Sequence, residues 1–136
     1  MLIFLPKVDP TLLQPEFLAD VKELFTRLPT DWACTYGFRT RIEQDTLYKK
    51  YLAGGPKAAP PGKSAHEFGL AIDVVLDGDP SKPGIQADFD DRKQAWIDLY
   101  ILLKKHPRLK SGVTFGDGCH IERYKWQNYK NWRPSV

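Results

Sequence analysis

A chain of 136 residues, 42% hydrophobic and 12% aromatic, carries enough apolar side chains for one core without disulfide staples. A net charge of +3 is too slight to demand nucleic acid as a partner. No run approaches the ~20 consecutive apolar residues of a membrane helix, which excludes stable insertion.

The opening residues 1–6 are apolar, but they lack a basic leader and are cut short by Pro6, so they make a poor signal peptide. The expected location is therefore the cytoplasm until release. Residues 15–28 place Phe17, Leu18, Val21, Leu24, Phe25 and Leu28 on one helical stripe, with Pro15 in the first turn and Pro29 past the end. Residues 32–38 read as a strand. Thr40 with Glu43 forms a capping box for a helix to about Ala53, with Leu47, Tyr48 and Tyr51 expected to face the core. Residues 54–63, rich in Gly and Pro, form a loop expected to border a cleft. Residues 70–76 make a short apolar run, β-branched at Ile72, Val74 and Val75, which reads as a buried strand. A second loop covers 77–87, and the longest helix runs over 88–106 with Trp96, Leu99, Tyr100 and Leu103 as its buried stripe. His106 falls in its last turn, where a cation meets the helix dipole favourably. Residues 112–115 and 119–123 read as two strands joined through Gly116-Asp117-Gly118. The expected architecture is α+β: a single domain over 1–136, with a small antiparallel sheet flanked by helices, no separate cell-wall-binding domain, and a monomeric state.

Chemistry concentrates in two segments, residues 64–73 and 117–122. His66, Asp73 and His120 are what a three-ligand zinc site needs, with the fourth position left for water. Seven residues of extended strand between His66 and Asp73 would span roughly 23 Å, whereas two ligands of one ion each lie about 2 Å from it. The segment must fold back, and Gly69 is the residue able to take a positive φ there. An aspartate within the apolar run 70–76 is costly to bury unless paired or bound to a cation. His120 and Glu122 share one face of their strand, so Glu122 is placed to orient His120 from behind. Asp117, three residues before His120, is the favoured general base; as a bare Asp-Gly turn it would be unremarkable.

The pattern Ser64-x-His66-x6-Asp73 followed by Asp117-x2-His120-x-Glu122 resembles the zinc peptidases that cleave peptidoglycan stem peptides. These are the VanY-type D-alanyl-D-alanine peptidases and their phage-endolysin branch of L-alanyl-D-glutamate peptidases. The likeness extends upstream to residues 36–40, to Glu43-Gln44 and Leu47-Tyr48, and to residues 60–64. It covers roughly residues 32 to 124. It implies the hedgehog/D-Ala-D-Ala-peptidase-like fold, one Zn2+ held by His66, Asp73 and His120, and Asp117 as base. It further implies that Arg39 binds substrate and steadies the transition state, with Ser64 and Gln44 in support. Cys119 stands where the endolysin branch often carries Pro, a departure that bears on the bond cleaved and not on the metal. The implied substrate is a peptidoglycan stem peptide, cut as an L-alanyl-D-glutamate endopeptidase would cut it. A D-alanyl-D-alanine carboxypeptidase or dipeptidase is the alternative, and a non-catalytic metal-containing cell-wall or phage structural module is a third. Without an export signal, a phage lysis enzyme is the expected setting.

Other features have plainer readings. Trp126, among the tail aromatics, suits either a substrate groove or core closure. Basic residues of the C-terminal third could steer an anionic wall or merely form a solvated surface. Cys34 and Cys119 are expected to be reduced core residues. Thiol catalysis lacks any feature near Cys34 that would lower its pKa. Asp77, Asp79, Asp88, Asp90 and Asp91 crowd one region without the spacing of a calcium loop.

Overall fold

The computed structural model describes residues 1–76, 94–132 and 134. Five strands form one sheet: β1 (Leu2–Phe4), β2 (Trp32–Tyr36), β3 (Ala71–Leu76), β4 (Leu109–Ser111) and β5 (His120–Arg123), in the spatial order β1-β2-β3-β5-β4. β1 runs parallel to β2, and every other pairing is antiparallel. Among the described residues three α-helices accompany it: α1 (Pro15–Thr26), α2 (Arg41–Leu52) and α3 (Gln94–Lys105). The architecture is the α+β one expected.

α1 starts where Gln14 accepts a hydrogen bond from Phe17 N at 2.8 Å, with Pro15 supplying the fixed φ of a first turn. Its stripe Phe17, Val21, Leu24 and Phe25 is buried, as are Trp96, Leu99 and Leu103 of α3. Both stripes belong to the same core cluster as Ile72, Val74 and Ile121 of the central strands. Trp32 closes that core, edge-on to Trp96 at 4.7 Å and to Phe25 at 5.8 Å. Each fully buried side chain of this size contributes about 1.5–3 kcal/mol. Asp20 of α1 takes both arms of the Arg108 guanidinium, at 2.8 and 2.9 Å, which ties α1 to the start of β4.

Four expectations need correction. Residues 112–115 are not a strand but a 3-10 turn, and the strand pairing with β5 is Leu109–Ser111. Gly112 explains this: a Cβ there would overlap Asp117 O and lie 2.8 Å from His120 Cβ, so the chain turns tightly over His120 instead of running straight. α2 keeps its Thr40–Glu43 capping box, yet Gln44 is its only buried residue and Tyr51 is exposed. Its one buried side chain turns to the Gly- and Pro-rich loop 54–63, with Gln44 Nε2 donating to Ala59 O. His106 does not serve as a cation at a helix end. Its Nδ1 accepts from Arg108 N at 3.0 Å and Leu109 N at 3.2 Å, and burial lowers its pKa, so the neutral ring is favoured. Last, the opening segment, for which no element was expected, supplies an edge strand. The start of the predicted helix at 88 and the acidic cluster at Asp77 and Asp79 lie outside the described residues.

Candidate metal centre

Gly69 adopts φ +66°, and this left-handed residue folds the 3-10 turn Ala65–Phe68 back over β3. His66 on that turn thereby meets Asp73 of β3. Asp73 pairs directly with His120 across the β3–β5 ladder, so these two side chains emerge on one face as neighbours. His66 Nε2 lies 3.5 Å and His120 Nδ1 3.3 Å from Asp73 Oδ1. The three candidate ligand atoms all fall within 4.8 Å of one another.

The protons are fixed elsewhere. His66 Nδ1 donates to Gly37 O at 2.8 Å, and His120 Nε2 donates to Glu122 Oε1 at 2.8 Å. The neutral tautomers so defined point two lone pairs at a carboxylate oxygen, and Asp73 Oδ1 has no hydrogen-bond partner among the described residues. A buried acceptor left this way is costly unless a cation occupies the convergence point. Two imidazoles and a carboxylate are the donor set that suits a divalent transition metal, so the residues fit the ion that the sequence implies. The local charges agree. Burial opposes ionisation of Asp73, but His66 and His120 hold its carboxyl well below the usual range. Burial also opposes a charge on His120, yet Asp73 and Glu122 push its pKa up to about 9, so the ring takes a second proton toward Asp73 unless a cation displaces it and leaves the neutral tautomer. Positive charge is favoured between these groups.

Asp117 follows the 3-10 turn Gly112–Phe115, which closes through Asp117 N donating to Gly112 O at 2.9 Å. Its Oδ2 stands 3.9 Å from His120 Nδ1, and its side chain is 55% exposed, open to an incoming molecule. Burial raises its pKa, as does the charge of Asp73, against the opposing charges of His120, His66 and Arg39. Arg39 N donates to His66 O at 3.0 Å, and its Nη1 donates to Gln44 Oε1 at 2.8 Å. Gln44 therefore holds Arg39 at one end and Ala59 O at the other, with its side chain buried between them.

Ser64 leads into the His66 turn, and its backbone N–H donates to Glu67 at 3.2 Å. Glu67 also accepts from Gly62 N at 2.8 Å and faces Arg41 Nε at 3.4 Å. Sequence reasoning assigned Glu67 no such role; its spacing three residues after Ser64 was the available signal. Trp126 is buried and stacks on Phe68 at 5.6 Å, with Lys130 Nζ 5.3 Å from its ring. That placement makes it packing behind the His66 turn, not the wall of a groove. The cysteines form no disulfide. Cys34 pairs with Val74, whose N–H donates to Cys119 O, so the two lie a strand apart on either side of β3. At ~4.8 Å per strand their Cα atoms are roughly 10 Å apart, beyond disulfide reach. Burial pushes the Cys34 thiol far up, which removes it as a nucleophile.

The same fold occurs in two solved peptidase structures. One is the vancomycin-resistance D,D-dipeptidase VanXYg, solved with a D-Ala-D-Ala phosphinate analogue: TM-score 0.60, 16% identity, covering 88% of this chain and 58% of that one. The other is the L-Ala D-Glu endopeptidase ChiX of Serratia marcescens: TM-score 0.57, 15% identity, covering 89% of this chain and 86% of that one. The chain thus spans somewhat over half the length of the dipeptidase and most of the endopeptidase. No family model and no curated protein sequence matches it. The structural neighbours are of the kind that the sequence motif resembles, and the described residues include a His-Asp-His group able to hold a metal ion.

Proposed function

We propose that this chain is a zinc peptidase that hydrolyses an amide bond of the peptidoglycan stem peptide, the L-alanyl-D-glutamate bond in particular. The observation carrying this reading is Asp73 Oδ1, without a hydrogen bond among the described residues and facing two imidazole nitrogens, with the carboxylate of Asp117 3.9 Å from His120. Zinc held by His66, Asp73 and His120 supplies a Lewis acid for the scissile carbonyl and for the attacking water, whose pKa it lowers toward ~7.

The chain's own residues do the rest. Asp117 Oδ2 takes a proton from the attacking water and passes it to the departing amine nitrogen. Its half-exposed position lets it reach both. Arg39 sets a fixed positive charge where negative charge develops on the carbonyl oxygen, a contribution of about 3–4 kcal/mol for a well-aimed donor. Gln44 holds that guanidinium in place, while Gly37 O and Glu122 hold the two imidazoles. Glu67, buried just after His66, holds the loop leading to it through Gly62 N and Ser64 N. Asp117 separates this reading from a purely structural metal site, which has no use for a base. The near-complete match in length to ChiX favours an endopeptidase. The similarity to VanXYg favours the second reading, removal of a terminal D-alanine. In either case the site of action is the cell wall.

Digestion of purified peptidoglycan by the zinc-loaded protein, with mass spectrometry of the new termini, tests the assignment. A new N-terminal D-glutamate is expected. Released D-alanine would establish the second reading, and an undigested wall would leave only a binding module.

A further inference from the structure

We infer that Lys110 is a specificity-determining residue, gripping a substrate carboxylate beside the scissile bond; this deepens the stem-peptide reading and rests on it. Lys110 of β4 pairs directly with Glu122 of β5, so its side chain leaves the sheet on the face that carries Glu122, His120 and Asp73. A lysine opposite a glutamate would ordinarily pair with it. Here Glu122 Oε1 is committed to His120 Nε2 at 2.8 Å, and Lys110 has no ion pair among the described residues. Its ammonium lies instead 5.8 Å from the ring of Phe115, which packs edge-on against His120 at 5.6 Å.

These two contacts limit the span from Lys110 Nζ to the His120 ring to about 11 Å, three residues or fewer of extended peptide at ~3.3 Å each. The side chain is half-buried, and it also lines a groove of about 480 Å³ between α3, β4 and the 3-10 turn Gly112–Phe115. None of the three metal ligands lines that groove, so Lys110 joins it to the ligand-bearing face of β5. An unmatched cation so placed, on a flexible four-carbon stem, selects an anion close to the cleaved amide. In a stem peptide whose D-glutamate continues through its γ-carboxyl, that anion is the α-carboxylate, carried on the residue whose nitrogen departs.

The test compares two synthetic peptides, L-Ala-γ-D-Glu-L-Lys and its D-isoglutamine counterpart, in which the α-carboxylate is an amide. The wild type should hydrolyse the carboxylate peptide with a kcat/KM about 10-fold or more above the amide peptide. Lys110→Ala should bring the two within about 2-fold through loss on the carboxylate peptide alone, and Lys110→Arg should restore the preference. An unchanged ratio in Lys110→Ala would overturn the inference. Binding of the same peptides, followed by NMR titration, reads the subsite without turnover. Carboxylate-selective binding that Lys110→Ala abolishes, with no hydrolysis by the wild type, would keep the subsite and overturn the peptidase reading. Equal binding of both peptides by wild type and variant would overturn the subsite.

Discussion

Substituting Glu122 by Gln and by Ala measures how far the metal centre depends on groups behind its ligands. The carboxylate holds the His120 Nε2 proton at 2.8 Å and so aims Nδ1 at Asp73 Oδ1. Loss of such a partner behind a ligand costs 10–100-fold in metal affinity, about 1.4–2.7 kcal/mol. Gln keeps an acceptor oxygen and loses the charge, so it belongs at the lower end; Ala loses both and belongs at the upper. At free zinc 1,000 times the wild-type Kd, binding stabilises the protein by about 4.1 kcal/mol, and a 100-fold weaker variant retains about 1.4. A domain of this size gains roughly 3–4 °C per kcal/mol, so the zinc-induced rise in Tm should fall from about 14 °C to about 5 °C in Glu122→Ala. Competition against a chromophoric chelator gives the Kd directly, and metal-free melts of each variant show that the fold survives. Wild-type zinc affinity in a folded Glu122→Ala protein would refute the argument.

Asp117→Asn should bind zinc as the wild type does and lose turnover by ~10²–10⁴, whereas His120→Ala should lose both; chelator competition and peptide hydrolysis on the same samples read the split. Asp20→Asn breaks the two-armed contact with Arg108, whose side chain is 43% exposed, and should cost about 1–2 kcal/mol in urea unfolding at neutral pH. Arg108 holds the Asp20 carboxyl below its ordinary value, so this stability is present above the unfolded pKa of ~3.9 and is lost as pH falls toward the folded one. The gap between wild type and Asp20→Asn should therefore narrow steadily below pH ~4, and a gap independent of pH would contradict the assignment. Gly69→Ala combines a left-handed backbone with a Cβ 2.6 Å from Trp132 Cζ3 and 2.7 Å from Leu12 O. It should cost about 2–4 kcal/mol and weaken zinc binding by displacing His66, measured by melts and chelator competition.

The parts of this site that were legible share one property: local sequence alone dictates them. A glycine between His66 and an apolar run containing Asp73 forces a left-handed bend and a buried strand, whatever lies around them. The two-residue period of β5 likewise puts His120 and Glu122 on one face. The parts that misled depend on what packs against them. The β-branched and aromatic residues Val113, Thr114 and Phe115 have the composition of a strand, but the close approach of Asp117 O and His120 Cβ to Gly112 turns them into a 3-10 turn. Leu47, Tyr48 and Tyr51 have helical spacing, yet none of them is buried; the one buried residue of the helix is Gln44, tied to Ala59 O of the loop 54–63, which no periodicity reveals. His106 follows the last turn of α3, where a charged ring would suit the dipole, and the backbone N–H groups of Arg108 and Leu109 turn it into an acceptor. Leu2–Phe4 became an edge strand only because Trp32–Tyr36 offered it a parallel partner.

The candidate metal ligands and the proposed base are held in different ways, and the difference suits the work proposed for them. Asp73 and His120 sit opposite each other on β3 and β5, so strand spacing sets their separation before any rotamer is chosen. The His66 turn is anchored from both sides by backbone hydrogen bonds, since Gln14 N donates to Gly69 O and Arg39 N donates to His66 O. Three ligand atoms on so rigid a frame need little reordering to bind an ion, and the ordering entropy is settled during folding. Asp117, by contrast, hangs from a short turn with its side chain half in solvent, where a carboxylate can swing between two proton partners. Arg39 is held through Gln44, which suits the transition-state role proposed for it, since such a charge works best when it does not move. A purely structural metal site would gain nothing from a loose carboxylate beside two imidazoles and a carboxylate that converge, whereas the proposed hydrolysis needs one.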